Sequence, residues 1–90
     1  MCTYIVETAT IAGSAKGPQG WFAVDRATVA YDHPFHAPVE HALTVDFVDA
    51  ARGVEGGRVG VELTLEGARE LARALTAAIE RAADYEAAAA

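Results

Sequence analysis

The sequence predicts an α+β fold: a four-stranded, mostly antiparallel sheet with one C-terminal helix packed on one face. Two observations lead to this prediction. Residues 3–63 contain four segments that are rich in β-branched and aromatic residues or that alternate polar with apolar side chains. The segment after them carries apolar residues at helical spacing. Because the links between the strands are short, neighbouring strands should run antiparallel.

The four predicted strands are residues 3–12, 21–31, 41–49 and 58–63. Residues 13–20, "GSAKGPQG", contain three glycines and a proline, which predicts a loop, and residues 50–57 predict a turn. A bulge is expected near Asp25. In the last two strands the apolar residues alternate, which should bring them to one inner face: Leu43, Val45 and Phe47, then Val59, Val61 and Leu63.

One helix is predicted after the last strand. Thr64 is a good N-cap residue, and Glu66 lies in the first turn, where the helix dipole favours an acid. An apolar stripe follows at helical spacing: Ala68, Leu71, Leu75, Ala78, Ile79 and Ala82. Residues 84–90, "DYEAAAA", have no core-facing pattern and are expected to fray.

The chain of 90 residues predicts a single domain spanning residues 1–90. Its hydrophobic fraction of 52% is enough to fold, but much of it is alanine, so the core of one chain should be small. The second sheet face is partly apolar along the first two strands. A homodimer that buries this face is therefore expected.

Charge and cysteine content exclude several classes of partner. The net charge is −6 and the seven basic residues are scattered, so neither nucleic acid nor an anionic membrane surface is an expected partner. No apolar run approaches the length of a membrane span, and the N-terminus lacks the pattern of a secretory signal. A cytoplasmic location is expected. The one cysteine, Cys2, excludes an intrachain disulfide.

Three motifs resemble those of a known family. They are "MCTYI" at the start, "GSAKGPQGWF" after the first predicted strand and "YDHPFHAPVEHALTVDF" in the middle. Together they resemble a family of short bacterial proteins, about 90 residues long, whose function is unknown. The resemblance covers nearly the whole chain and implies a free-standing protein. It implies no activity, cofactor or catalytic residue.

The segment "YDHPFHAPVEH" holds all three histidines of the chain, His33, His36 and His41. Three imidazoles close in sequence are a common ligand set for Zn or Cu, and less often for Ni or Fe. Pro34 and Pro38 restrict the backbone between them, so the loop would lose less entropy when its side chains converge on an ion. The segment therefore predicts a divalent transition metal site.

Strand alternation brings two of the histidines together. His33 continues the alternation of Val29 and Tyr31, and His41 shares its alternation with Leu43. If the second and third strands form a hairpin, both histidines lie near its mouth and could face the same side. The flanking acids, Asp32 and Glu40, are candidate ligands, or acceptors that would hydrogen-bond an imidazole N–H and so fix its tautomer.

Cys2 is the predicted fourth ligand. A small residue at position 2 normally permits removal of Met1, which would leave an N-terminal cysteine whose amine and thiol can chelate a metal. If the first strand is antiparallel to the second, its start lies beside Tyr31–His33. The resulting hypothesis is a Cys/His site in a metal-dependent enzyme or a metal-handling protein; the sequence does not decide whether the protein is an enzyme.

Three alternatives stay open. The histidines could be ordinary polar loop residues, since "HP" and "HAP" are common turn formers. The protein could be a metal-free homodimeric interaction or accessory module. It could also be an N-terminal-cysteine enzyme, in which Cys2 is the nucleophile and His33 or His41 is the base, oriented by Asp32 or Glu40.

Overall fold

The chain forms one four-stranded sheet followed by a long helix. This computed structural model describes residues 3–90, with the side chains of all of these except residues 54 and 55. The elements are β1 (Ile5–Gly17), β2 (Gly20–Asp32), β3 (Ala42–Val48), a 3-10 helix (Ala50–Glu55), β4 (Arg58–Leu63) and α1 (Leu65–Ala89). The strands lie in the order β1-β2-β3-β4, and every neighbouring pair is antiparallel. The predicted α+β class and element order are confirmed.

The hairpin of β1 and β2 is longer than the sequence predicts. Residues 13–17, predicted as part of a loop, belong to β1, where Gly13 pairs with Val24 and Lys16 with Trp21. Only Pro18 and Gln19 form the turn, and Gly20 follows with a φ of 110°, which favours glycine. The bulge expected near Asp25 is found: the register shifts between Thr10 and Gly13 of β1, directly opposite Asp25 of β2, and the extra residue lies in β1. The composition of this glycine-rich segment predicts a loop, but the segment is part of β1 because it pairs with apolar residues of β2.

Strand register sorts the side chains onto two faces. Leu43 pairs with Leu63, Val45 with Val61 and Phe47 with Val59, so the predicted inner residues of β3 and β4 share one side. The partners in β2 continue it. We call this side the apolar face: Ala27, Val29, Tyr31, Leu43, Val45, Phe47, Val59, Val61 and Leu63. The opposite side is the polar face: Thr28, Thr44, Asp46, Arg58 and Glu62.

The helix begins where the sequence predicts. The Thr64 hydroxyl accepts a hydrogen bond from the Gly67 N–H at 2.9 Å, and Glu66 lies in the first turn. The helix then continues to Ala89, through the residues expected to fray, because alanine has the highest helix propensity. Among the described residues, no helix combines the length and the apolar character that crossing a membrane requires.

The packing of α1 differs from the sequence prediction. The helix approaches the sheet at β3 and β4, but none of its residues is buried. Leu71 is 53% exposed, and Leu75 and Ile79 are each 59% exposed. The apolar stripe of the helix therefore does not cover the sheet of its own chain as a core-facing helix would.

The interior of the single chain is small. Among the described residues, the buried apolar side chains are those of Val24, Ala27 and Ala42. The 3-10 helix is tied to β2 by the Ala50 N–H, which donates to the Asp25 carboxylate at 2.7 Å. Ala42 lies at the histidine end of the sheet, whereas the Ala50–Asp25 hydrogen bond lies beyond the opposite end of β3.

Candidate functional site

His33 and His41 flank the end of the β2–β3 ladder. The last pair of that ladder joins Asp32 to Ala42, so the two histidines are the next residues outward on each side. Their rings stack with centroids 4.6 Å apart and an interplanar angle of 29°. His41 also stacks on Tyr31, with centroids 5.4 Å apart. The two histidines thus face the same side of the hairpin mouth, as the alternation predicts.

The flanking acids hold His33 from two directions. The His33 Nδ1 atom lies 3.0 Å from the backbone carbonyl oxygen of Glu40. Because a carbonyl only accepts, Nδ1 carries the proton, and in the neutral ring the lone pair is on Nε2. The His33 backbone N–H donates to the Asp32 carboxylate at 2.8 Å. Glu40 therefore orients the ring through its backbone, while Asp32 orients the main chain through its side chain.

The start of β1 lies beside the same end of β2. Ile5 pairs with Tyr31, and the Thr3 hydroxyl donates to the Tyr31 carbonyl. Cys2 lies outside the described residues. The structure therefore gives no distances from Cys2 that bear on its predicted roles as a metal ligand or as a nucleophile. The described chain nevertheless begins next to the residue on which His41 stacks.

Glu62 of β4 anchors the middle of the histidine loop. Its carboxylate accepts the backbone N–H groups of Phe35 at 2.5 Å, His36 at 3.0 Å and Ala37 at 2.8 Å. The hydrogen bonds from Ala37 and Phe35 lower the pKa of the Glu62 carboxyl, desolvation opposes them, and His36 lowers the pKa further. A carboxylate that is kept charged thus fixes three consecutive amides.

An open groove of ≈ 500 Å³ lies on the polar face beneath this loop. His36 lines it together with Thr44, Asp46, Arg58 and Glu62. Arg58 donates from Nε and Nη2 to one oxygen of Asp46, both at 2.9 Å. The groove therefore combines one ion pair with the carboxylate that holds the loop.

The three histidines separate into two environments. His33 and His41 stack on each other, whereas His36 lines the groove beside Glu62. Within residues 3–90 no group of three or more histidine, cysteine or acidic side chains forms a metal-binding cluster. The sequence did not identify Glu62 of β4 as the residue that anchors this loop. The alternation of Arg58, Gly60 and Glu62 in β4 was the available signal, because it places Glu62 on the polar face.

Comparison with known proteins gives a family and no activity. A family model described as a family of unknown function, DUF6295, matches residues 1–89. No curated protein and no solved structure shows significant similarity to the chain. The function must therefore be argued from the residues and their geometry.

Proposed function

The chain belongs to this family of unknown function, and from its own residues we propose that it binds a divalent transition metal beside His33 and His41. One observation carries the proposal: the two imidazoles are adjacent, and a backbone carbonyl holds Nδ1 of one of them. Metal-binding histidines commonly donate their second ring N–H to a carbonyl or carboxylate in this way. Because Nδ1 bonds the Glu40 carbonyl, Nε2 of His33 is the proposed donor atom.

Binding requires the two rings to turn. Two imidazole nitrogens on one tetrahedral zinc ion, each at about 2.0–2.1 Å, lie roughly 3.3 Å apart and point at a common centre. The stacked rings have centroids 4.6 Å apart, and the proposal requires a rotation about the side-chain bonds that turns one nitrogen of each ring toward the same ion. Zinc or copper is favoured because both accept imidazole and thiolate, and nickel or iron follows.

The Cys2 thiolate is the proposed third donor, and either the Cys2 amine or, as the weaker candidate, His36 supplies the fourth. Cys2 directly precedes Thr3, whose hydroxyl bonds the Tyr31 carbonyl beside the histidine pair. With Met1 removed, its amine and thiolate would together complete a four-coordinate site. His36 would have to leave the groove, because Glu62 holds its backbone. In this proposal Asp32 and Glu40 orient His33, and the cytoplasm keeps the thiol reduced.

Elemental analysis of the untagged protein tests this proposal, with intact mass to show whether Met1 is present. The expected result is about one metal ion per chain, lost in both His33→Ala and His41→Ala. His36→Ala is the matched control: retention of the metal excludes His36 as a ligand, whereas loss adds it. A protein that carries no metal, and takes up none from added Zn²⁺ or Cu²⁺ at micromolar levels, does not have this function.

A second candidate function is a homodimeric interaction or accessory module that needs no metal. The exposed apolar stripe of α1 favours it, since a lone soluble chain rarely leaves a row of large apolar side chains in water. This candidate predicts that His33→Ala and His41→Ala leave the partner-binding behaviour of the protein unchanged. The same variants thus separate the two functions.

A further inference from the structure

The single chain exposes more surface than a compact protein of its size. Its accessible surface is 7012 Å², whereas a folded monomer of 9.4 kDa exposes about 5,000 Å². Its radius of gyration is 15.1 Å, against about 12 Å for a compact domain of 90 residues. The chain thus carries an excess of about 2,000 Å² of exposed surface.

Two apolar surfaces contribute to this excess. The first is the stripe on α1, in which Leu71, Leu75 and Ile79 are each more than half exposed. The second is the apolar face of the sheet, where Ala27 is buried, Val61 is 39% exposed and the other residues are half-buried. Each surface has the composition of a protein core, and neither is fully buried by the other within one chain.

We infer that a second copy of the chain covers both surfaces, with α1 of each protomer lying across the apolar face of its partner's sheet. An excess of about 2,000 Å² on each of two chains falls in the range of obligate homodimers, whose interfaces bury about 2,000–5,000 Å² in total. Both surfaces are apolar, so a dimer with one two-fold axis can bury the helix stripe and the apolar face of both protomers. The inference is independent of the metal site and defines a surface for the second candidate function.

The presence of a second apolar surface favours helix-on-sheet packing over helix-on-helix packing. The stripe on α1 spans about 100° around the helix: Ala68, Leu71, Leu75, Ala78 and Ala82 follow the 3-4 spacing of a coiled-coil seam, and Ile79 widens it. Pairing the two helices alone would also leave the apolar face of each sheet in water. The reciprocal arrangement leaves neither surface exposed.

Adjacent alanines in α1 supply a matched test. Ala78 lies in the stripe, while Ala77 is turned about 100° away, with Arg73 and Arg81 as its neighbours one turn before and after. In the single chain Ala78 is exposed and Ala77 is half-buried. A monomer therefore predicts that Ala78→Glu is the milder change, whereas the dimer predicts that it is the more disruptive one.

Light scattering coupled to size-exclusion chromatography measures the outcome. We expect wild type and Ala77→Glu to have twice the chain mass, and Ala78→Glu to be monomeric or unfolded. If Ala78→Glu does not fold, the concentration dependence of the wild-type Tm decides, because the Tm of an obligate dimer rises with chain concentration. A folded wild-type monomer with a constant Tm, or a dimeric Ala78→Glu, overturns the inference. Because this test measures mass and not metal content, its failure leaves the metal proposal intact.

Disulfide trapping tests the reciprocal arrangement. In a Cys2→Ser background, chains with Val61→Cys are mixed with chains carrying Leu75→Cys and then oxidised. Helix-on-sheet packing predicts a mixed disulfide between the two kinds of chain. A disulfide formed preferentially between two Leu75→Cys chains would mean that the helices pair with each other, and would overturn the arrangement.

Discussion

The Glu62 carboxylate accepts the backbone N–H of Ala37 at 2.8 Å, across 25 positions of the chain. The same carboxylate accepts the amides of Phe35 and His36. One acidic side chain of β4 therefore holds the middle of the loop whose two ends carry His33 and His41. This relationship leads to the first two predictions.

Glu62→Gln should loosen the loop without unfolding the sheet. The amide side chain has no charge, and its NH₂ group cannot accept the Phe35 N–H, so at least one of three charge-assisted hydrogen bonds is lost. Hydrogen exchange should become faster at residues 35–37 and stay unchanged in β2 and β3. Glu40→Gln is the matched control, because Glu40 holds His33 through its backbone carbonyl. Equal exchange in both variants would show that Glu62 does not anchor the loop.

The loop should also loosen in acid. The pKa of Glu62 is lowered in the folded protein from an ordinary value of 4.5, mainly by the amides of Ala37 and Phe35. A lowered pKa means that the anchoring is complete above pH 4.5 and is lost as the pH falls through the folded value. The Ala37 amide resonance, followed by NMR through an acid titration, should shift with an apparent pKa below 4.5. An apparent pKa at or above the ordinary value would contradict this prediction.

Thr64→Ala should destabilise the protein by about 1 kcal/mol, because the Gly67 N–H loses its side-chain acceptor. Urea unfolding at a fixed chain concentration measures the change. Thr76→Ala, within the same helix, serves as the control and should be neutral or stabilising, since alanine is the better helix former. A Thr64→Ala protein as stable as wild type would show that this cap contributes nothing.

Gly57→Ala should destabilise the protein by about 1–3 kcal/mol through overpacking. A Cβ atom at Gly57 would lie 2.5 Å from the ring of Phe22, whereas one at Gly13 would have its nearest neighbour at 3.9 Å. Gly13→Ala is therefore the control and should be tolerated. The cost of Gly57→Ala should largely vanish in a Phe22→Ala background, as a double-mutant cycle measured by urea unfolding would show. A cost that persists there would assign the effect to the backbone of Gly57 instead.

Several local features were predictable from the sequence because neighbouring residues encode them. The β4 bounds agree with the alternation in residues 58–63, and Thr64 caps the helix as its residue type predicts. The alternation in β2 and β3 likewise brings His33 and His41 together at the hairpin mouth. In each case the period of two in a strand, or the composition of one turn, determines which way a side chain points.

Other features were not predictable because they depend on residues far apart in the chain. Residues 13–17 are glycine-rich but extend β1, since β2 offers partners such as Val24 and Trp21. Glu62 can anchor the histidine loop only because β4 pairs with β3 in a register that places its side chain beneath that loop. Neither local composition nor alternation specifies where such a loop folds.

The sequence by itself determined the order of the strands and the helix, the apolar stripe and the clustering of histidines, because these are periodic or local patterns. The tertiary structure decided that His36 lies with Glu62 rather than with His33 and His41. It also decided that the apolar stripe of α1 stays exposed on its own chain. A stripe of apolar residues specifies that a helix must be covered, but only the three-dimensional path of the chain determines whether its own sheet or another surface covers it.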